Sequence, residues 1–146
     1  MLAAHFGNWE ILGAALSLKG IPLSVTAKKV YIDQLDKILL ETRESKGMKI
    51  IRRGEEDSVR GILKALKRNE VLAILIDQNT KNTPGVYAEF FGRKASTPSG
   101  LAALAIRTGA PVVPGFIFRQ GRRHRIEIGE PVKLINTGNY EADVLE

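Results

Sequence analysis

The chain has 146 residues, 22 Lys+Arg against 16 Asp+Glu for a net charge of +6, 44% hydrophobic residues and no cysteine. That composition excludes disulfides, thiolate zinc sites and a cysteine nucleophile, and His5 and His124 are too few for a histidine-rich metal site. The positive excess favours acidic partners: phosphates, anionic lipid headgroups, nucleic acid or an acidic carrier protein.

Residues 1–146 read as a single domain able to bury about two thirds of its extended surface. Asn8 is a helix N-cap, and the apolar series from Trp9 is closed by Lys19-Gly20, which predicts a helix over 9–19. Pro22 to Ala27 is a short β-branched strand. Helical spacing of Ile32, Leu35, Ile38 and Leu39 predicts a helix over Tyr31 to Lys46, ended by Gly47. Met48 to Ile51 is a second strand, running into Arg52-Arg53-Gly54. Glu55-Glu56-Asp57 then falls in the first turn of a helix carrying Val59, Ile62, Leu63 and Leu66, where the helix dipole favours carboxylates.

Val71 to Ile76 is continuously apolar, as a strand covered on both faces should be. It ends at Asp77-Gln78, and a polar stretch reaches Pro84-Gly85. A strand over Val86 to Phe91, a helix from Pro98 to Thr108 and a strand from Val112 to Phe118 follow. The turn residues Gln120-Gly121-Arg122 and a strand from His124 to Ile128 form a closing hairpin. Strands alternating with helices predict an α/β fold with a mostly parallel sheet. No apolar run approaches the roughly 18 residues of a membrane span, and no basic region precedes an apolar segment at Met1-Leu2-Ala3-Ala4 as in a signal peptide.

Ligands of parallel sheets collect outside the carboxyl ends of the strands, and three polar clusters fall there: His5 with Glu10, Arg52-Arg53, and Asp77-Gln78. Five residues apart, His5 and Glu10 would lie about 140° from each other around one helix. With His5 on the turn before Asn8 and Glu10 in the first helical turn, the carboxylate can reach back to one imidazole nitrogen. That contact would fix the tautomer and leave the other nitrogen as a general base toward a hydroxyl. The plainer alternative is a structural histidine, with Glu10 at a helix N-terminus. Asp77 has a similar choice between a site role and capping a turn through Asn79 and Thr80.

His5-Phe6-Gly7-Asn8-Trp9-Glu10 resembles the H-x-x-x-x-E/D motif of the lysophospholipid acyltransferase superfamily, in particular the bacterial lipid A biosynthesis (lauroyl/myristoyl-type) acyltransferases. Arg52-Arg53-Gly54 looks like that family's basic block and Asp77-Gln78 like its D-Q. Phe90-Phe91-Gly92, Thr97 and Ala110-Pro111-Val112-Val113-Pro114 look like its F-F-G, T and A-x-V-V-P blocks. The resemblance covers residues 3–119. It implies an acyltransferase core in which His5 and Glu10 are catalytic, while Arg52, Arg53, Asp77, Gln78, Phe90, Phe91, Gly92 and Thr97 contact substrate.

The implied reaction moves a fatty acyl chain from acyl carrier protein or acyl-CoA to a hydroxyl of a lipid A precursor or related glycolipid, without metal or cofactor. The implied place is the cytoplasmic face of the bacterial inner membrane, against an anionic membrane surface. Members carry a membrane-associated segment and a strand ahead of the histidine, whereas four residues precede His5 here, so the expectation is a fragment. The alternative function is an inactive core that only binds anionic lipid. Without interleaved exposed aromatics or a nucleic-acid module, the basic charge does not support nucleic-acid binding. The cluster Arg122 to Arg125 reads as a solvated hairpin end that could add attraction to anionic lipid.

Overall fold

Four strands form a parallel sheet: β1 (Leu2–Ala3), β2 (Leu23–Ala27), β3 (Lys49–Arg52) and β4 (Val71–Leu75), in the spatial order β1-β4-β2-β3. The structure, a computed structural model, describes residues 1–79, 84–135 and 137–145. Parallel register aligns side chains of one parity across the strands. Leu23, Val25, Ile50, Val71 and Ala73 therefore share one face, and Ser24, Thr26, Ile51, Leu72 and Ile74 share the other.

The first face packs against α1 (Trp9–Leu18). Leu12, Leu16, Leu23, Met48 and Ala73 form a buried cluster with Ile117 from the C-terminal half. Helix α2 (Asp33–Ser45) lies on the same side, because Arg52, in phase with Ile50, bonds Asp36. Helix α3 (Ser58–Lys67) covers the opposite face, where Gly61 lies against Ile51. The fold is α/β, as the alternation of strands and helices predicts. Asn8 caps α1 through its side-chain oxygen, which accepts from the Ile11 amide at 3.0 Å.

Several boundaries differ from the sequence expectation. A strand does lead into His5: β1 is two residues long and pairs with Ile74 and Leu75 of β4. The Leu2 amide also donates to Val113 O at 2.9 Å, so residues 112–114 continue the sheet beyond β1. Glu55 and Glu56 precede α3 rather than sitting in its first turn, and Asp57 is the N-cap residue without a side-chain cap bond.

Beyond β4 the chain builds two antiparallel hairpins: β5 (Gly85–Phe90) with β6 (Arg93–Pro98), and β7 (Gly115–Gln120) with β8 (Arg123–Ile128). Strand β6 was not expected, since Arg93-Lys94-Ala95-Ser96-Thr97-Pro98 has no apolar alternation; its pairing with β5 defines it. Helix α4 (Gly100–Thr108) accordingly begins after Pro98, and a short α5 (Tyr140–Leu145) ends the chain. The strand expected over Val112 to Phe118 starts instead at Gly115, leaving Val112 in an isolated bridge to Val132.

The folded chain exposes 10530 Å². A monomer of this mass would be expected to expose roughly 7,400 Å², so only about half of the extended surface is buried rather than two thirds. The excess has a location. On the second sheet face, α3 and α4 stand apart over Leu72 and Ile74, leaving an apolar cavity of about 790 Å³ lined by Leu63, Leu66, Leu101, Leu104 and Val112.

Candidate active site

His5 leaves the end of β1 on a turn that only glycine permits. Gly7 has φ +64°, and a Cβ there would come within 2.0 Å of Ile117 O. The turn sets His5 beside the end of β4, where Asp77 holds it twice: the His5 amide donates to Oδ2 and the ring Nδ1 bonds Oδ1, both at 2.8 Å. Partial burial pushes the Asp77 carboxyl up, but the bonds from the His5 ring and amide outweigh it and hold the carboxyl below its usual value.

Asp77 is therefore ionised at neutral pH and can only accept, so the hydrogen between the two groups belongs to Nδ1. Among the described residues Nε2 makes no hydrogen bond, and it is left as an acceptor. Trp9 packs edge-on against the imidazole at 4.8 Å between centroids, restricting ring rotation.

The expected contact of Glu10 with His5 is not formed. Glu10 is taken by Arg43 of α2, whose Nε and NH2 donate to its two oxygens at 3.0 and 2.5 Å. This two-pronged pair ties the first turn of α1 to the last turn of α2. Asp77, which the sequence suggested might orient Arg53, orients His5 instead. Of the turn capping considered for Asp77, Thr80 lies outside the described residues.

The adjacent arginines diverge because strand residues alternate sides. Arg52 points to the α2 side and makes a bidentate pair with Asp36, at 2.9 and 2.5 Å. Only 17% of its side chain and 10% of that of Asp36 are exposed, so Arg52 is committed to the scaffold. Arg53 bonds Ala27 O through its amide, and it lines a cavity of about 900 Å³ together with His5, Trp9, Glu10, Arg43 and Gln78.

That cavity has an apolar extension past Ile62, Leu63, Leu101 and Leu104, where it meets the cavity between α3 and α4. One end is thus polar and cationic, the other a hydrocarbon-like slot. Phe90, Phe91 and Gly92 do not line it. They form the far end of the β5–β6 hairpin, and Thr97 spends its hydroxyl on Ala95 O at 3.3 Å.

His5, Glu10, Arg53, Asp77 and Gln78 are therefore gathered at one place, while Arg52, Phe90, Phe91, Gly92 and Thr97 stand outside it. Sequence reading missed Arg43 and Trp9. A lone arginine near the end of an amphipathic helix has no local signal, and Trp9 reads as core. Among the described residues no cluster of three or more metal-ligand side chains occurs.

Comparison with known proteins agrees with this geometry. Phosphatidylinositol mannoside acyltransferase of Mycobacterium tuberculosis (strain CDC 1551 / Oshkosh) is 28% identical over 120 residues, covering 81% of this chain and 38% of that protein. The protein of the same name from Mycolicibacterium smegmatis is 29% identical over 119 residues, covering 80% of this chain and 39% of the relative. The chain thus spans well under half the length of these relatives. A family model described as bacterial lipid A biosynthesis acyltransferase matches residues 1–142. A match over nearly the whole chain, with His5 and Asp77 joined at the cavity, places it: the chain belongs to the bacterial lipid A biosynthesis acyltransferase family.

Proposed function

We propose that the chain is the catalytic core of a glycolipid O-acyltransferase in which His5 is the general base. The observation that carries this reading is the imidazole held by Asp77 at Nδ1, with Nε2 facing a cavity that joins a cationic end to an apolar slot. Nε2 takes the proton of an acceptor hydroxyl as its oxygen attacks the carbonyl carbon of an acyl thioester. Asp77 stabilises the imidazolium that forms. The tetrahedral intermediate then expels the thiolate, to which the imidazolium returns the proton. No covalent acyl-enzyme is needed.

Arg53 supplies a guanidinium for an acceptor phosphate, and the Glu10–Arg43 pair fixes the cavity wall between α1 and α2. The acyl chain occupies the apolar extension; a volume of about 900 Å³ lies at the upper end of ordinary ligand pockets. The acceptor is a phosphorylated glycolipid, a lipid A precursor or, as the names of the relatives suggest, a phosphatidylinositol mannoside. Acyl carrier protein fits the +6 charge as donor, acyl-CoA being the other thioester with the same chemistry. The setting is the cytoplasmic face of the bacterial inner membrane, against its anionic surface.

The test is single-turnover transfer of a labelled acyl group from acyl carrier protein to each glycolipid by the wild-type chain and His5→Ala. Transfer by wild type and its loss in His5→Ala is the expected result. Binding of anionic vesicles without any transfer would replace this reading with that of a lipid-binding core.

A further inference from the structure

The β5–β6 hairpin turns on two residues, Phe91 and Gly92, with φ of +50° and +71°. Two left-handed residues in a two-residue loop are the pattern of a type I′ turn, which favours Asn-Gly, Asp-Gly or Gly-Gly. Phenylalanine at the first of these positions works against the backbone. Nor does the ring repay this by packing: Phe91 is 91% exposed, Phe90 is 65% exposed, and the two rings meet edge-to-face at 4.6 Å. Neither ring lines a cavity. A strained, fully presented aromatic that serves neither core nor turn points to something outside the chain.

Size and charge select the occupant. Two phenylalanine rings at a tip offer about 300 to 500 Å², well short of the roughly 800 Å² that each side of a standard protein interface buries. A narrow apolar tip suits insertion between lipid headgroups. Behind it stand Arg93, opposite Phe90, and Lys94, opposite Glu89, so the shoulder of the tip carries two cations and one acid. We propose that Phe90 and Phe91 insert into a lipid surface while Arg93 meets anionic headgroups.

The hairpin also has a defined relation to the cavity. Pro98 at its base lines the same cavity as His5, and six paired residues at about 3.4 Å each set the tip about 20 Å away. Insertion would hold the cavity within that distance of the bilayer, in reach of a lipid acceptor. This consequence rests on the acyltransfer reading, whereas insertion itself does not.

Phe91→Asn tests it, because Asn-Gly suits the turn and removes the ring. Partition onto vesicles of phosphatidylcholine and phosphatidylglycerol should fall about tenfold or more while Tm holds or rises. In Phe91→Trp, emission should shift to the blue on vesicle addition and be quenched by brominated lipid, with wild type reporting the Trp9 background. Wild-type partition in Phe91→Asn, with no vesicle response from Phe91→Trp, would overturn the proposal. So would a Phe91→Asn variant that keeps vesicle binding but loses acyl carrier protein, which would make the tip a protein contact. Vesicle binding without acyl transfer would leave insertion standing and remove the enzymatic reading alone.

Discussion

The two rims of the parallel sheet each carry an ionic cluster, built differently. At the amino-terminal rim Glu70 accepts from Ser24 Oγ at 2.7 Å and pairs with Lys49, and its side chain is only 5% exposed. At the carboxyl-terminal rim Asp77 is 38% exposed and holds an imidazole whose second nitrogen makes no hydrogen bond among the described residues. The first cluster closes on itself. The second is open on one side, toward a cavity. Satisfied buried polar groups hold a fold in register, whereas a polar group left available beside a cavity is available for chemistry.

Substitutions at the two rims should separate these roles. His5→Ala should lower acyl transfer by about 10² to 10⁴, the usual span of a general base, with Tm close to wild type; equal turnover in the folded variant would dismiss the base. Glu70→Ala should do the reverse. Ser24, 2% exposed, loses its acceptor, which should cost about 1 to 3 kcal/mol in chemical denaturation while the folded fraction keeps its transfer rate. A Glu70→Ala chain as stable as wild type would show that the amino-terminal cluster is ornamental.

A smaller effect divides the two arginines. Arg53→Ala should raise the KM for phosphorylated acceptor more than it lowers kcat, with partial rescue by lysine, since a point charge restores attraction but not the two-pronged grip. Equal effects on phosphorylated and dephosphorylated acceptor would remove Arg53 from the phosphate site. Arg52→Ala should act on acid stability instead. The Arg52 guanidinium foremost, then the Val30 amide, hold the Asp36 carboxyl below its usual value against the opposing effect of burial.

A carboxyl depressed in the folded state contributes stability that is present above its unfolded value, about 3.9, and lost as pH falls through the folded value. Arg52→Ala should therefore flatten the fall of the urea midpoint below about pH 4. Parallel acid limbs for wild type and variant would contradict the pairing.

What was legible in the sequence followed from local physics. The continuous apolar run at Val71–Leu75, the Asn8 cap and the alternation of strands with helices specify a covered parallel sheet, and the polar clusters at its strand ends fall where the cavity opens. The partners inside the site were not legible, because they are set by contacts far apart along the chain. Asp77 reaches His5 across 72 positions, and Arg43 reaches Glu10 across 33. The motif spacing made Glu10 the natural partner for His5, but the stronger bidentate arginine claimed that carboxylate. Strand β6 escaped notice for a related reason, since a polar segment is held in register by its hairpin rather than by a buried face.

The account depends on Asp77 acting through His5. Single-turnover acyl transfer by wild type, Asp77→Asn, His5→Ala and the double variant measures that dependence directly. Asp77→Asn should lower the rate about 100-fold in the wild-type background and add almost nothing once His5 is gone, since its task is to orient the imidazole and stabilise its charge. The same fold-loss in both backgrounds would show Asp77 working independently of His5 and would contradict the account.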